Sequence, residues 1–310
     1  MKYRIGVDLG GTHIGVGLVE ESGRLLNTYT CDTPKNRDFT ETVEAIVRAV
    51  ETLLRQNGKR IEDCLSVGVG SPGVADAQTG KIYYSANFGW VDVPLGEEIA
   101  RRIGLPTVVA NDADAAGFAE YRLGAGRGTQ SCVTVTLGTG VGGGIVLNGR
   151  LFSGGMPGGG ELGHVSLVAG GRRCQCGKQG CAEAYCSATA LGQIAQEGLA
   201  QHPESSLNRA DVVDAKAVAD AAKAGDAYAG AVFADYVHHL AHLLAGIINL
   251  LAPEVIALGG GVSKAGEFLL EPLRAETARL VLNKMLPHAR IVSAQMGTDA
   301  GIVGAALLGA

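Results

Sequence analysis

The chain has 310 residues, 46% of them hydrophobic and 18% charged, and a net charge of −5. That length and apolar content allow a substantial core and favour two domains, while the acidic balance offers no surface for a polyanion and argues against nucleic acid as a partner. The longest apolar run, Leu243–Ala252, is interrupted by Gly246 and Asn249 and falls short of the roughly 20 residues of a membrane span. The start MKYRIGVDLGG carries no signal-peptide stretch, and the seven cysteines show no paired framework, which together predict a cytoplasmic protein.

In chain order, Arg4 to Glu20 alternates apolar residues on both sides of Asp8-Leu9-Gly10-Gly11-Thr12, which predicts strand, glycine turn, strand. Asp38-x-x-Glu41 reads as a capping box before a helix with apolar positions from Val43 to Leu54, ended by Gly58. Leu65 to Gly73 is a strand entering a small-residue turn, and Ser85 to Trp90 a loop holding the only tryptophan. Thr107–Ala110 is a short strand ending in Asn111-Asp112, with a helix from Asp114 to Tyr121. A carboxylate at the carboxyl end of a strand is a candidate general base, although Asp112 could equally be the cap of that helix.

Cys132 to Leu147 repeats the first arrangement, with Leu137-Gly138-Thr139-Gly140 at its turn. Two related hairpins half a chain apart predict a duplicated architecture with a cleft between its halves, and backbone amides of such turns can approach a phosphate. Gly138-x-Gly140-x-x-Gly143 also satisfies the dinucleotide fingerprint, but the residues that follow alternate as a strand where that fingerprint needs a helix. Helices are expected at Ala188–Ala200, Ala215–Ala224 and Ala227–Leu251. His238 and His242, four apart on the last of these, lack a local third ligand and read as helix surface or packing. Val255–Leu258 is a strand ending in Gly259-Gly260-Gly261, and Thr298–Leu308 an amphipathic helix capped by Thr298 or Asp299.

The densest chemistry lies in GGGELGHVSLVAGGRRCQCGKQGCAE, residues 158 to 183. His164, Cys174, Cys176 and Cys181 have the residue types and close spacing of a tetrahedral Cys3His zinc site, with Gly177 and Gly180 at its sharp turns. Four protein ligands leave no open position, so a structural metal is expected. Glu161 and Glu183 bracket the ligands.

Asp8-Leu-Gly-Gly-Thr12, Ser71-Pro72-Gly73, Asn111-Asp112, Leu137 to Gly144, Gly160-Glu-Leu-Gly-His164, Cys174 to Glu183 and Gly259 to Gly261 together resemble the ROK family of sugar kinases and related repressors over essentially the whole chain. The resemblance implies a two-domain α/β fold of actin-like, hexokinase-like (ribonuclease H-like) topology closing over sugar and ATP. Residues 1–113 with 298–310 would form the small domain and 114–297 the large one. It implies ATP-dependent phosphorylation of a hexose 6-hydroxyl with Asp112 as general base, in cytoplasmic carbohydrate metabolism and glycolysis. Gly73, Asn87, Asn111, Glu161, His164 and Glu183 would hold the sugar. Asp8, Gly10, Gly11, Thr12, His13, Thr139 and Gly140 would meet the phosphates and Mg2+, and Gly259, Gly260 and Gly261 the adenosine. Zinc on His164, Cys174, Cys176 and Cys181 would fix the sugar-binding loop. A homodimer or homotetramer is implied as well.

Glucose is favoured because Asn87 with Gly89-Trp90 and the set Glu161, His164 and Glu183 resemble glucose-phosphorylating members; an N-acetylated hexosamine or fructose is the alternative. The repressors carry a helix-turn-helix before the first strand, where this sequence has only Met1 to Tyr3. His13 stands where many relatives carry Lys, so the charge there is expected to depend on pH.

Overall fold

Apolar alternation around the first glycine turn yields the hairpin β1 (Tyr3–Leu9) and β2 (His13–Glu20), extended by β3 (Leu25–Asp32), in a computed structural model that describes residues 2–309. Helix α1 (Phe39–Gln56) starts where expected, with Asp38 accepting the Glu41 N–H at 3.0 Å. Strand β4 (Cys64–Ser71) follows, then a small antiparallel sheet of β5 (Val74–Asp76), β6 (Lys81–Ser85) and β7 (Trp90–Val93). Helix α2 (Leu95–Ile103), strand β8 (Thr107–Asn111) and helix α3 (Asp112–Leu123) complete this stretch. The main sheet has the order β3-β2-β1-β4-β8, antiparallel across the hairpins and parallel from β1 to β8.

The second series comprises β9 (Cys132–Leu137), β10 (Val141–Leu147), β11 (Arg150–Leu151), α4 (Glu183–Cys186), α5 (Ala188–Gly198), α6 (Ala215–Lys223), α7 (Ala227–Leu251), β12 (Val255–Gly259), α8 (Glu267–Leu280), β13 (Arg290–Ser293) and α9 (Ala300–Leu308). Its sheet has the order β11-β10-β9-β12-β13, the same permutation as the first, so the repeated hairpins do belong to repeated sheets. Strand β10 directly follows the second glycine turn, as the alternation after Gly143 requires and a dinucleotide fingerprint does not allow.

Two compact units result. Unit 1 comprises residues 1–128, 144–160 and 295–310, and unit 2 comprises 129–143 and 161–294. Helix α3 and residues 144–160 therefore group with unit 1, beyond the boundary expected after residue 113. The reason lies in packing: α3 and α9 lie close together, and a Cβ on Gly304 would sit 1.7 Å from the Ala115 carbonyl oxygen. Helix α9 is also buried almost all round instead of amphipathic, because Gly6 and Gly68 let the sheet approach its backbone.

Helix α7 is long and apolar enough to cross a membrane by length and composition, but 61% of its most apolar window is buried inside the protein. It is the core helix of unit 2, packed on α4, α5, α6 and α8.

Candidate functional site

In unit 1 the glycine turn after β1 is closed by Gly10 N–H donating to the His13 carbonyl at 2.9 Å. Thr33, buried, fastens it twice: its hydroxyl donates to the Gly10 carbonyl at 2.7 Å and its N–H to the Thr12 carbonyl at 2.9 Å. Asp8 ends β1 beside the turn, and its carboxyl is raised above the ordinary carboxylate range by burial and then by the negative charge of Asp112. The two carboxylates thus share one end of the parallel strands, the edge where α/β folds bind ligands.

The cap of α3 is Asn111, whose side-chain oxygen accepts from the N–H groups of Ala113 and Asp114 at 2.9 and 3.3 Å. Asp112 is therefore relieved of the capping role that the sequence left open to it. Its carboxyl is half-buried and pushed up by desolvation, against a hydrogen bond from its neighbour Ala113 N–H at 2.8 Å. A carboxylate so placed is a stronger base than one in water. The Asn111 amide donates to the Gly73 carbonyl at 3.0 Å, tying the Ser71-Pro72-Gly73 turn to the same strand end. Gly73 has φ of 110°, and a Cβ there would meet the Tyr84 carbonyl at 2.3 Å, so only glycine fits this crossing.

Asn87 is exposed on the loop that Phe88 and Trp90 anchor, their rings 4.4 Å apart. Arg37, missed from the sequence, donates to the Asn87 carbonyl, receives the Trp90 indole N–H on its own carbonyl at 3.0 Å, and lies 3.7 Å from where a Gly11 Cβ would stand. It brings a permanent cation beside the glycine turn. Its only sequence signal was position, since a lone Arg before a capping box looks like surface. His13 instead forms an exposed cross-strand pair with Asp32, Nδ1 to carboxylate 3.2 Å, with side chains 65% and 91% exposed.

In unit 2 the second glycine turn is closed by Gly138 N–H donating to the Gly140 carbonyl at 3.0 Å. Glu161 opens a short helical turn that ends at His164, whose N–H donates to the Glu161 carbonyl at 3.0 Å. This turn lies on β10 because Gly143 and Gly163 lack side chains; added Cβ atoms would reach Leu162 at 2.5 Å and the Val141 carbonyl at 2.2 Å. The adjoining loop folds into a knuckle in which Cys174 N–H donates to the Lys178 carbonyl at 2.8 Å and Gly177 N–H to the Cys174 carbonyl at 3.0 Å.

The ligand atoms of His164, Cys174, Cys176 and Cys181 all fall within 4.8 Å of one another, with Cys174 Sγ 3.8 Å from His164 Nδ1 and Cys176 Sγ 3.6 Å from Cys181 Sγ. Tetrahedral zinc with Zn–S bonds near 2.3 Å needs ligand-to-ligand edges of about 3.8 Å, so the donor set fits the ion. Burial pushes the Cys174 thiol up, whereas the Lys178 backbone N–H holds the exposed Cys176 thiol down. Among the described residues this is the one group with metal-binding geometry; His238 sits on the surface of α7 with its Nδ1 3.3 Å from Glu276 and its ring 4.6 Å from that of His242.

Glu183 opens α4 and turns its carboxylate to the Val141 N–H at 3.1 Å. At the end of β12, Gly260 has φ of 85° and packs against the end of β9, where a Cβ would meet the Leu137 carbonyl at 2.4 Å. A cavity of about 860 Å³ within unit 2 is lined by Thr139, Gly192, Val212, Ala219, Gly261 and Lys264, among others. Its size and its small, mostly apolar lining suit a nucleoside-sized ligand.

The ROK family matches residues 4–310. A glucokinase of Thermotoga maritima is 40% identical over 97% of this chain and 95% of its own, and one of Halalkalibacterium halodurans 38% over 98% and 93%. Among solved structures, a ROK family glucokinase from Streptomyces griseus in complex with glucose and AMPPNP is 37% identical, with a TM-score of 0.81 over 99% of this chain and 98% of that one. Sequence and fold thus agree over the full length: the chain belongs to the ROK family.

Proposed function

We propose that this chain is an ATP-dependent hexose kinase that transfers the γ-phosphoryl group to the 6-hydroxyl of glucose. The observation that carries the reading is Asp112: a carboxylate freed from capping by Asn111, raised by burial, at the carboxyl end of β8, in a chain whose relatives at 38% and 40% identity over nearly its full length are glucokinases. Asp112 accepts the proton of the attacking hydroxyl. Asn87, Asn111, Glu161, His164 and Glu183 hold the other hydroxyls, with Gly73 lining the sugar site through its backbone. Charge-assisted bonds to vicinal hydroxyls reject sugars that lack one of them.

Phosphoryl transfer passes through a loose transition state, so positioning and charge neutralisation supply most of the acceleration. Mg2+ supplies part of that neutralisation when bound with ATP. Asp8 would hold the ion, and the Gly11-Thr12 and Thr139-Gly140 amides would meet the phosphates, with Gly10 letting the backbone come close. Gly259 to Gly261 would meet the adenosine, with Gly261 lining the cavity. Zinc is assigned to His164, Cys174, Cys176 and Cys181, where it supplies structural fixation of the loop carrying Glu161 and Glu183. His164 turns Nδ1 toward the thiols and keeps Nε2 for the sugar.

The test is ADP release by the purified protein with Mg-ATP across a panel of hexoses. Strong turnover on glucose, not displaced by N-acetylglucosamine or N-acetylmannosamine, is expected. Preference for an acetylated sugar or fructose overturns the glucose assignment, and no turnover on any hexose overturns the kinase reading.

A further inference from the structure

The Glu183 carboxylate touches two structures that the sequence keeps far apart. Its Oε2 accepts the Val141 N–H at 3.1 Å, and its Oε1 lies 3.6 Å from Cys174 Sγ in the metal knuckle. The contact with the glycine turn is close: a Cβ on Gly140 would fall 2.3 Å from Oε2, so a side chain there would displace this carboxylate. Just beyond α4, the Ala188 N–H donates to the Gly138 carbonyl at 2.8 Å, so one short segment holds both sides of the turn.

With its N–H on Glu183, the peptide joining Gly140 to Val141 turns its carbonyl onto the Gly138 N–H at 3.0 Å. Rotating that peptide would break both bonds at once. The N–H groups of Thr139 and Gly140 meanwhile have no protein acceptor among the described residues. A turn held in one orientation with free amides is preorganised for an anion, and preorganisation by a charge-assisted bond is worth more than a neutral one.

We propose that Glu183, beyond any bond to sugar, is a positioning residue for the Gly138–Gly140 turn and couples the metal knuckle to the phosphates of the nucleotide. Cys181 lies two residues before Glu183, so fixing the knuckle fixes where α4 begins and where this carboxylate points. The inference rests on the reading of that turn as a phosphate clasp.

The test is a double-mutant cycle read by calorimetric binding of Mg-ATP without sugar, with Val141 amide exchange followed by NMR. Gly140→Ala and Glu183→Ala are each expected to weaken Mg-ATP binding about tenfold, the scale of one lost bond to a charged group. The double variant should be no weaker than Glu183→Ala alone, because the clash that Gly140→Ala creates needs the carboxylate. Val141 exchange should quicken in Glu183→Ala and after zinc is removed with a chelator, and Glu183→Gln should fall between wild type and Glu183→Ala. Additive losses, or unchanged Mg-ATP binding and Val141 exchange in a folded Glu183→Ala, overturn the proposal. Wild-type protein that binds no nucleotide overturns the phosphate reading itself, and Val141 exchange then decides the strut alone.

Discussion

The two glycine turns share a backbone plan and differ in what holds them. The first, Gly10 to Thr12, is fastened by a neutral hydroxyl, Thr33, and faces Asp8, Asp112 and the Arg37 guanidinium. The second, Gly138 to Gly140, is fastened by a carboxylate, Glu183, which follows the cysteine knuckle and touches Cys174. The lesson is that a duplicated hairpin supplies amides twice, while the chemistry is added by side chains arriving from elsewhere in the chain. One turn gained two acidic groups and a cation, and the other a rigid support.

Removing the acid from the first turn has the largest expected effect. Asp112→Asn should lower kcat about a thousandfold, the middle of the range for losing a general base, yet raise the melting temperature. The sign follows from the raised carboxyl: between the ordinary value of 3.8 and the raised one the folded state binds the proton more tightly than the unfolded chain, so stability falls as pH rises through that window. Asparagine removes this cost. The same shift predicts that wild-type kcat/KM falls as the medium is acidified through the raised pKa, measurable in a pH–rate profile. A variant that loses both activity and melting temperature would make Asp112 structural.

Breaking the support of the second turn comes next. Cys174→Ser should weaken zinc retention by more than the roughly tenfold that losing a partner of a ligand costs and raise the KM for glucose, read by metal analysis beside steady-state kinetics. Full activity in demonstrably zinc-free protein removes the supporting role. Arg37→Ala is expected to raise the KM for Mg-ATP by about threefold, since the guanidinium is exposed and screened. An unchanged KM would return Arg37 to loop packing. The smallest effect belongs to Thr33→Val, which deletes the bond to the Gly10 carbonyl: about 1 kcal/mol of stability and a melting temperature lower by about 3 °C, with sugar affinity intact.

Much of the fold was legible because periodicity and capping act locally. The Asp38 cap of α1, without the reciprocal Glu41 bond of a full capping box, the limits of α7 and the strand after Gly143 all lie within a few residues of their signals. The grouping of α3 with unit 1 was not, since it depends on Gly304, Gly6 and Gly68 letting backbones meet across nearly the length of the chain. The burial of α9 has the same origin.

The site divides in the same way. Sequence by itself determined the residue types: three thiols and an imidazole at spacings a tetrahedral ion accepts, glycines wherever a backbone must come close, and Asn111-Asp112 at a strand end. Only the tertiary structure decided between equivalent roles, because neighbouring Asn and Asp cap a helix equally well until the backbone chooses one. It also brought Arg37 to the first turn and Glu183 to the second, contacts 26 and 42 residues apart that no local pattern encodes. Side-chain chemistry is written along the chain, whereas proximity arises when two sheets of the same order fold and place their strand ends beside residues far off in sequence.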